Sequence, residues 1–80
     1  MDETALFKKL SENLRAQGYY PQLFMENDGW KCMLANAVDP HRQPPQGYGI
    51  SVLLALNDAI SMKLKREQAD REAAAKRKAG

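Results

Sequence analysis

The pattern of apolar positions predicts a helix at the start of the chain. Within residues 4–17, apolar side chains recur at helical spacing and form one narrow stripe. The stripe consists of Leu6, Phe7, Leu10 and Leu14. Gly18 is placed to end this helix, and the acidic residues Asp2 and Glu3 suit its positive N-terminal end. We expect a surface helix that packs one stripe against a sheet.

A second helix is predicted over residues 51–64, whose apolar face is much wider. At about 100° per residue, this face spans about 200° of the helix. It consists of Val52, Leu53, Ala55, Leu56, Ala59, Ile60, Met62 and Leu64. Leu54 lies on the opposite side, near Asp58 and Ser61. Ser51 is the expected N-cap, with Ile50 available to pack against the first turn. A face this wide is either deeply buried or shared with a partner.

Between the helices, the spacing of apolar residues changes from helical to that typical of β-strands. Residues 19–26 and 30–38 are rich in aromatic and apolar side chains, and the Asn27-Asp28-Gly29 segment between them is a hairpin signal. Pro21 favours a sheet edge for the first strand. In the second, Trp30, Cys32 and Leu34 alternate with Lys31, Met33 and Ala35. Residues 39–47 have a loop composition, and a very short third strand over residues 48–50 is left open.

These elements predict an α+β fold: an N-terminal helix, an antiparallel β-hairpin, an optional short third strand and a long C-terminal helix. Residues 1–64 form the single predicted α-β-β-α domain. Residues 65–80 are predicted to be a charged helical extension, frayed or disordered at its end, because they contain no large apolar residue and have high helix propensity. At 80 residues the domain has a thin stability margin, for which oligomerisation is a common remedy.

The charge is distributed unevenly. Residues 1–62 contain five basic and seven acidic side chains, whereas residues 63–80 contain seven basic and three acidic ones. The basic residues of this tail offer an alternative function, binding of nucleic acid through phosphate contacts. They are Lys63, Lys65, Arg66, Arg71, Lys76, Arg77 and Lys78. No aromatic residue lies among them to stack on single-stranded bases, which favours a solvated helix.

The sequence offers no catalytic, cofactor or metal signature. Cys32 and His41 are the only residues of their types, and a metal site needs three or four ligands, so we expect a buried strand cysteine and a solvated loop histidine. The glycines at 47 and 49 are explained by turns rather than by a phosphate site. The single cysteine and the absence of a signal peptide or membrane span predict a soluble, cytoplasmic protein that does not contact a membrane.

Aromatic residues are numerous for so small a domain, and some of them must remain exposed. Tyrosine and tryptophan commonly anchor protein interfaces. We therefore predict that the chain binds an unidentified protein partner. The wide apolar face of the second helix, on a domain too small to cover it, further predicts a homodimer through that helix. The predicted partner-binding residues are Leu54, Tyr19, Tyr20, Trp30, Met33 and Tyr48, with Phe24 and Met25 as further candidates.

The hairpin, the glycine-bounded loop and the helix sequence S-x-x-x-A-L-x-D-A carry a resemblance to known families. In this chain the helix motif consists of Ser51, Ala55, Leu56, Asp58 and Ala59. Residues 20–64 thereby resemble the small α/β units of HicB-like antitoxins and of double-stranded-RNA-binding domains. At the helix start, Val52, Leu53 and Leu54 replace the basic cluster of the RNA-binding family. The short chain with its charged helical end also resembles accessory proteins of phages and prophages. We predict a small regulatory or inhibitor protein of bacterial or phage origin. We expect no enzymatic activity, because the sequence supplies no nucleophile with its base, no paired carboxylates and no cofactor fingerprint.

Overall fold

The chain adopts an α+β fold. Along the sequence, one helix precedes and one helix follows the three strands of an antiparallel sheet. The structure is a computed structural model that describes the backbone of residues 2–79 and the side chains of residues 2–77. The elements are α1 (Glu3–Ala16), β1 (Tyr19–Glu26), β2 (Gly29–Asn36), β3 (Gln46–Gly49) and α2 (Val52–Ala79). The predicted fold class is confirmed, including the optional third strand.

The first helix forms as its apolar stripe predicts. Asp2 is the N-cap, and its side chain accepts a hydrogen bond of 3.1 Å from the backbone N–H of Thr4. Gly18, beyond the C-cap, has φ +89°. Leu14 is buried, and Phe7 and Leu10 pack partly buried against the core. The helix therefore lies on the sheet through its predicted stripe.

The predicted hairpin is confirmed, although its second strand is shorter than expected. Glu26 pairs with Gly29, which leaves Asn27 and Asp28 as a two-residue loop. Strand β2 ends at Asn36 rather than at residue 38. The Oδ1 atom of Asn36 accepts hydrogen bonds from the N–H groups of Val38 at 2.9 Å and Asp39 at 3.2 Å, and these bonds turn the chain away from the sheet.

The third strand begins two residues before, and ends one residue before, the predicted range of residues 48–50. Gln46 and Gly47 were expected in the loop, but they pair with β2, and Ile50 lies outside the strand. Ile50 is 81% exposed, so the expected packing against the first turn of α2 does not form. Ser51 caps that turn as predicted, since its Oγ accepts a hydrogen bond of 3.2 Å from the N–H of Leu54.

Both helices pack on the same face of the sheet. The buried core contains Leu14 of α1, two residues of β2 and three of α2: Cys32, Leu34, Ala55, Leu56 and Ala59. Trp30 also faces this side, in agreement with the predicted alternation along β2. Only the middle of the wide apolar face of α2 is thus covered by the sheet, because Met62 and Leu64 at its two margins remain exposed. Leu54, on the opposite side of the helix, is exposed as well.

Helix α2 lies unusually close to β3. A Cβ atom on Gly47 would overlap the backbone nitrogen of Ala59, and one on Gly49 would lie 2.5 Å from the backbone nitrogen of Ala55. Alternate residues of β3 are therefore glycine because the helix backbone takes the space of their side chains. Between them, the N–H of Tyr48 donates a hydrogen bond of 2.9 Å to Oδ2 of Asp58. The helix thus covers this edge of the sheet.

Helix α2 continues well beyond the core to Ala79. The proposed division of the chain at Leu64 and the fraying of its last residues stay predictions, and Gly80 lies outside the described residues. Within the described part of the chain, neither helix is both long enough and apolar enough to cross a membrane.

The close contact between β3 and α2 predicts a strong effect of Gly47→Ala. The added methyl group has only backbone atoms of α2 to push against, so the helix must move away from the sheet. We expect a loss of about 1–3 kcal/mol in the free energy of unfolding, measured by urea denaturation. Gln46→Ala, which changes a side chain on the other side of the same strand, is the control. A Gly47→Ala protein as stable as this control would contradict the packing described.

Candidate protein-binding surface

Within residues 2–79, no helix lies on the second face of the sheet. Because side chains alternate along a strand, the register places one set of residues on this side. We call this set the open face; it consists of Tyr20, Gln22, Phe24, Glu26, Lys31, Met33, Ala35, Gln46 and Tyr48. It contains three aromatic rings and a thioether but only one lysine and one glutamate, so it combines apolar surface with low charge.

One row of the open face crosses all three strands. Phe24 pairs with Lys31, and Lys31 pairs with Tyr48. The Nζ atom of Lys31 lies 5.4 Å from the centre of the Phe24 ring, within cation–π range. Phe24 is 43% exposed and Tyr48 59% exposed. Among the described residues Lys31 has no acidic partner, so its ammonium group is available between two exposed rings.

The neighbouring row adds hydrogen-bonding groups. Gln22, Met33 and Gln46 lie side by side across the strands, and the hydroxyl of Tyr48 donates a long hydrogen bond of 3.4 Å to the Gln46 side chain. Tyr20, beyond this row on β1, is nearly half exposed. The open face therefore offers rings for apolar contact and amide groups for directional hydrogen bonds on a hydrogen-bonded sheet.

The predicted partner-binding residues divide among three places. Tyr20, Met33 and Tyr48 lie on the open face. Tyr19 and Trp30 lie on the helix side of the sheet, partly buried against the core, so they do not join the open face. Leu54 is half exposed on α2. These residues are all apolar or aromatic, but strand alternation places those of the strands on different sides of the sheet.

Phe24 and Lys31 complete the central row of the open face, and neither was among the principal partner-binding residues predicted. A signal for both was present in the sequence. The two-residue turn at Asn27 and Asp28 fixes the register of the hairpin, and that register pairs Phe24 with Lys31 on the side opposite Cys32.

Two concave regions border the end of the sheet near the hairpin turn. One of about 580 Å³ lies between the hairpin turn and the end of β3, and one of about 410 Å³ lies between the N-terminal turns of the two helices. Trp30 and Ile50 line both regions. Neither is lined by histidine or cysteine, and the described residues contain no cluster of three or more potential metal ligands.

Cys32 and His41 lie in different environments. Cys32 is completely buried in β2, and burial raises the pKa of its thiol to about 11, which keeps it protonated near neutral pH. His41 is exposed in the loop before β3. The predictions of a buried strand cysteine and a solvated loop histidine are both confirmed.

The predicted nucleic-acid-binding residues do not form one basic surface. Lys63 is only 4% exposed; its Nζ lies 2.5 Å from a carboxylate oxygen of Glu67 and 5.0 Å from the centre of the Tyr19 ring. Arg66 is partly buried and donates a hydrogen bond to the backbone carbonyl of Gln43. Lys65, Arg71, Lys76 and Arg77 are exposed, and the side chain of Lys78 lies outside the described part. Two of the seven residues are thus engaged within the protein.

The same region ties the proline-rich loop to α2. Arg42 donates two hydrogen bonds of 3.0 Å to the carboxylate of Asp70, and these bonds lower the pKa of the Asp70 carboxyl. Together with the contact from Arg66 to Gln43, they attach the loop to the helix beyond the core. The start of the charged extension therefore has a structural role.

Comparison of the chain with models of known protein families, with characterised proteins and with solved structures found no match.

The buried position of Lys63 predicts unequal effects for the two members of its ion pair. Glu67→Ala leaves a buried ammonium group without its carboxylate, and we expect a loss of about 1–2 kcal/mol in unfolding free energy, limited by the partial exposure of Glu67. Lys63→Met keeps an apolar side chain in place and leaves Glu67 to be hydrated, so we expect a smaller loss. Lys65→Met, at an exposed position, is the control in urea denaturation. A larger loss for Lys63→Met than for Glu67→Ala would contradict this interpretation.

Proposed function

We propose that this protein is a small non-enzymatic regulator or inhibitor, of bacterial or phage origin, that binds another protein through the open face of its sheet. The observation that carries the proposal is the row of Phe24, Lys31 and Tyr48, which lies in the open on an ordered sheet. We place its action in the cytoplasm, where a single buried cysteine suits a reducing environment.

The composition of the open face favours a protein partner over a nucleic acid. Protein interfaces are enriched in tyrosine, phenylalanine and methionine and are depleted of charge at their centres. Aromatic residues on sheets also stack on single-stranded bases, but such sites include a positively charged groove along the backbone of the nucleic acid. Here Lys31 is the only basic residue of the face, and Glu26 offsets its charge.

The arrangement of side chains also indicates the chemistry of the partner. The aromatic rings suit a flat apolar surface, on which partly exposed rings lose their remaining contact with water. Lys31 suits a carboxylate placed between those rings. Gln22 and Gln46 can form hydrogen bonds with exposed amide or backbone groups of the partner beside that carboxylate. The expected partner surface is therefore apolar, with an acidic residue near its centre.

The test is capture of partners from a bacterial lysate by the tagged full chain, after nuclease treatment and washing at rising salt. We expect a protein to be retained in stoichiometric amount by the unchanged chain and lost, by at least about tenfold, with the Phe24→Ala, Tyr48→Ala double variant, because central aromatic residues dominate interface energies. Leu54→Ala, which truncates an exposed apolar residue on a different surface, is the matched control. Circular dichroism confirms that each variant is folded.

Other outcomes contradict the proposal. Loss of the captured protein with Leu54→Ala and its retention by the double variant would place the binding surface on α2. Capture that disappears on nuclease treatment and weakens steeply with salt would instead indicate nucleic-acid binding by the exposed basic residues of α2.

A further inference from the structure

The two edges of the sheet differ in how their backbone groups are used. At β3, α2 lies over the strand and Asp58 accepts the outward N–H of Tyr48. At β1, the hydrogen bonds found among the described residues include none to an outward backbone group of the strand, and Met25 is 76% exposed. Edge strands with free backbone groups are templates for pairing with another strand. The free edge of β1 therefore differs from the protected edge of β3.

The register identifies which backbone groups of β1 point outward. The N–H of Leu34 donates to Pro45, so Leu34, Cys32 and Trp30 direct their backbone groups toward β3. The alternate residues of β2 therefore direct their backbone groups toward β1. Their partners in β1 direct their own backbone groups inward, toward β2; these partners are Tyr20, Gln22, Phe24 and Glu26. It follows that Leu23 and Met25 direct their N–H and C=O groups away from the sheet. The backbone of Pro21 also points away from the sheet, but proline has no N–H to donate.

We infer that the occupant of this edge is a second copy of the chain, which adds its own β1 in antiparallel orientation with the two-fold axis at Phe24. In this register Leu23 of each copy lies opposite Met25 of the other, and each such pair exchanges two backbone hydrogen bonds. Pro21 lies outside the paired segment. The result is one continuous sheet across both copies, with the two open faces on the same side.

The side chains of β1 are self-complementary in this register. Phe24 faces Phe24 of the second copy as a cross-strand aromatic pair, which is a favourable arrangement. Gln22 faces Glu26 of the second copy, so an amide N–H meets a carboxylate and no like charges are opposed. On the helix side, Met25 is 76% exposed in the single chain, and the second copy's Leu23 would pack beside it. Backbone and side-chain groups therefore favour the same pairing.

A register shifted by one pair fits less well. If the axis passed through Leu23, Pro21 would face Met25 of the second copy, and the Met25 carbonyl would lose its donor. The same shift would place Gln22 opposite Phe24 and Tyr20 opposite Glu26, which breaks up the aromatic and amide–carboxylate pairs. A homodimer through α2 stays a separate prediction, and the centre of that helix face is covered by the chain's own sheet.

Cysteine crosslinking tests this arrangement directly. Phe24→Cys places two thiols opposite each other at a non-hydrogen-bonded pair, where Cα atoms lie about 4.5 Å apart, a separation that a disulfide spans. We expect this variant to form a covalent dimer rapidly under mild oxidation. Gln22→Cys, on the same strand and face, is the control, because its thiol would face Glu26 and should crosslink at least tenfold more slowly. Cys32 is buried and does not compete.

A second comparison tests the backbone pairing. Met25→Pro removes an outward N–H that the single chain does not use in its own sheet, whereas Met25→Ala keeps it. Sedimentation equilibrium over a concentration series should show association of the unchanged 9.0 kDa chain and of Met25→Ala, and its loss in Met25→Pro. Equal crosslinking of the two cysteine variants, or an unchanged chain that stays monomeric at every concentration, would overturn the inference. Neither result depends on a protein partner, so failure here is distinguishable from failure of the proposed function.

Discussion

The close packing of α2 on β3 is the contact on which the rest of the structure depends. It requires glycine at positions 47 and 49, because the helix backbone lies where their side chains would be. It also brings Asp58 to the outward N–H of Tyr48, which protects the edge of a four-residue strand. Without this contact the third strand would have little to hold it, since short edge strands gain few hydrogen bonds of their own.

The same contact decides which surfaces of the sheet stay uncovered. With both helices on one face and one edge covered, the sheet retains an open face and the free edge of β1. The aromatic rings of the chain divide accordingly: Tyr19 and Trp30 contribute to the core, while Phe24 and Tyr48 remain exposed. In so small a domain, the described residues supply one layer of helices, and the other face of the sheet stays uncovered by them.

Local signals in the sequence predicted the elements well, and contacts between elements explain what was missed. Ser51 as a helix cap and the turn after Glu26 depend on a few adjacent residues, and both were recognised. The burial of Lys63 depends on Tyr19 and Glu67 lying around it, which the count of basic residues in the tail does not reveal. Gly47 lies in a segment whose composition predicts a loop. Its place in a strand depends on the close packing of α2, which the neighbouring residues do not reveal.

Amide hydrogen exchange of Tyr48, measured by nuclear magnetic resonance in the unchanged chain and in Asp58→Ala, tests the packing of α2 on β3 most directly. If α2 covers the edge of β3, the N–H of Tyr48 exchanges slowly, at a rate comparable to central strand amides, and Asp58→Ala accelerates it selectively. Exchange of Tyr48 as rapid as that of the exposed loop residue His41, with no effect of Asp58→Ala, would contradict the packing that leaves the open face and the β1 edge uncovered.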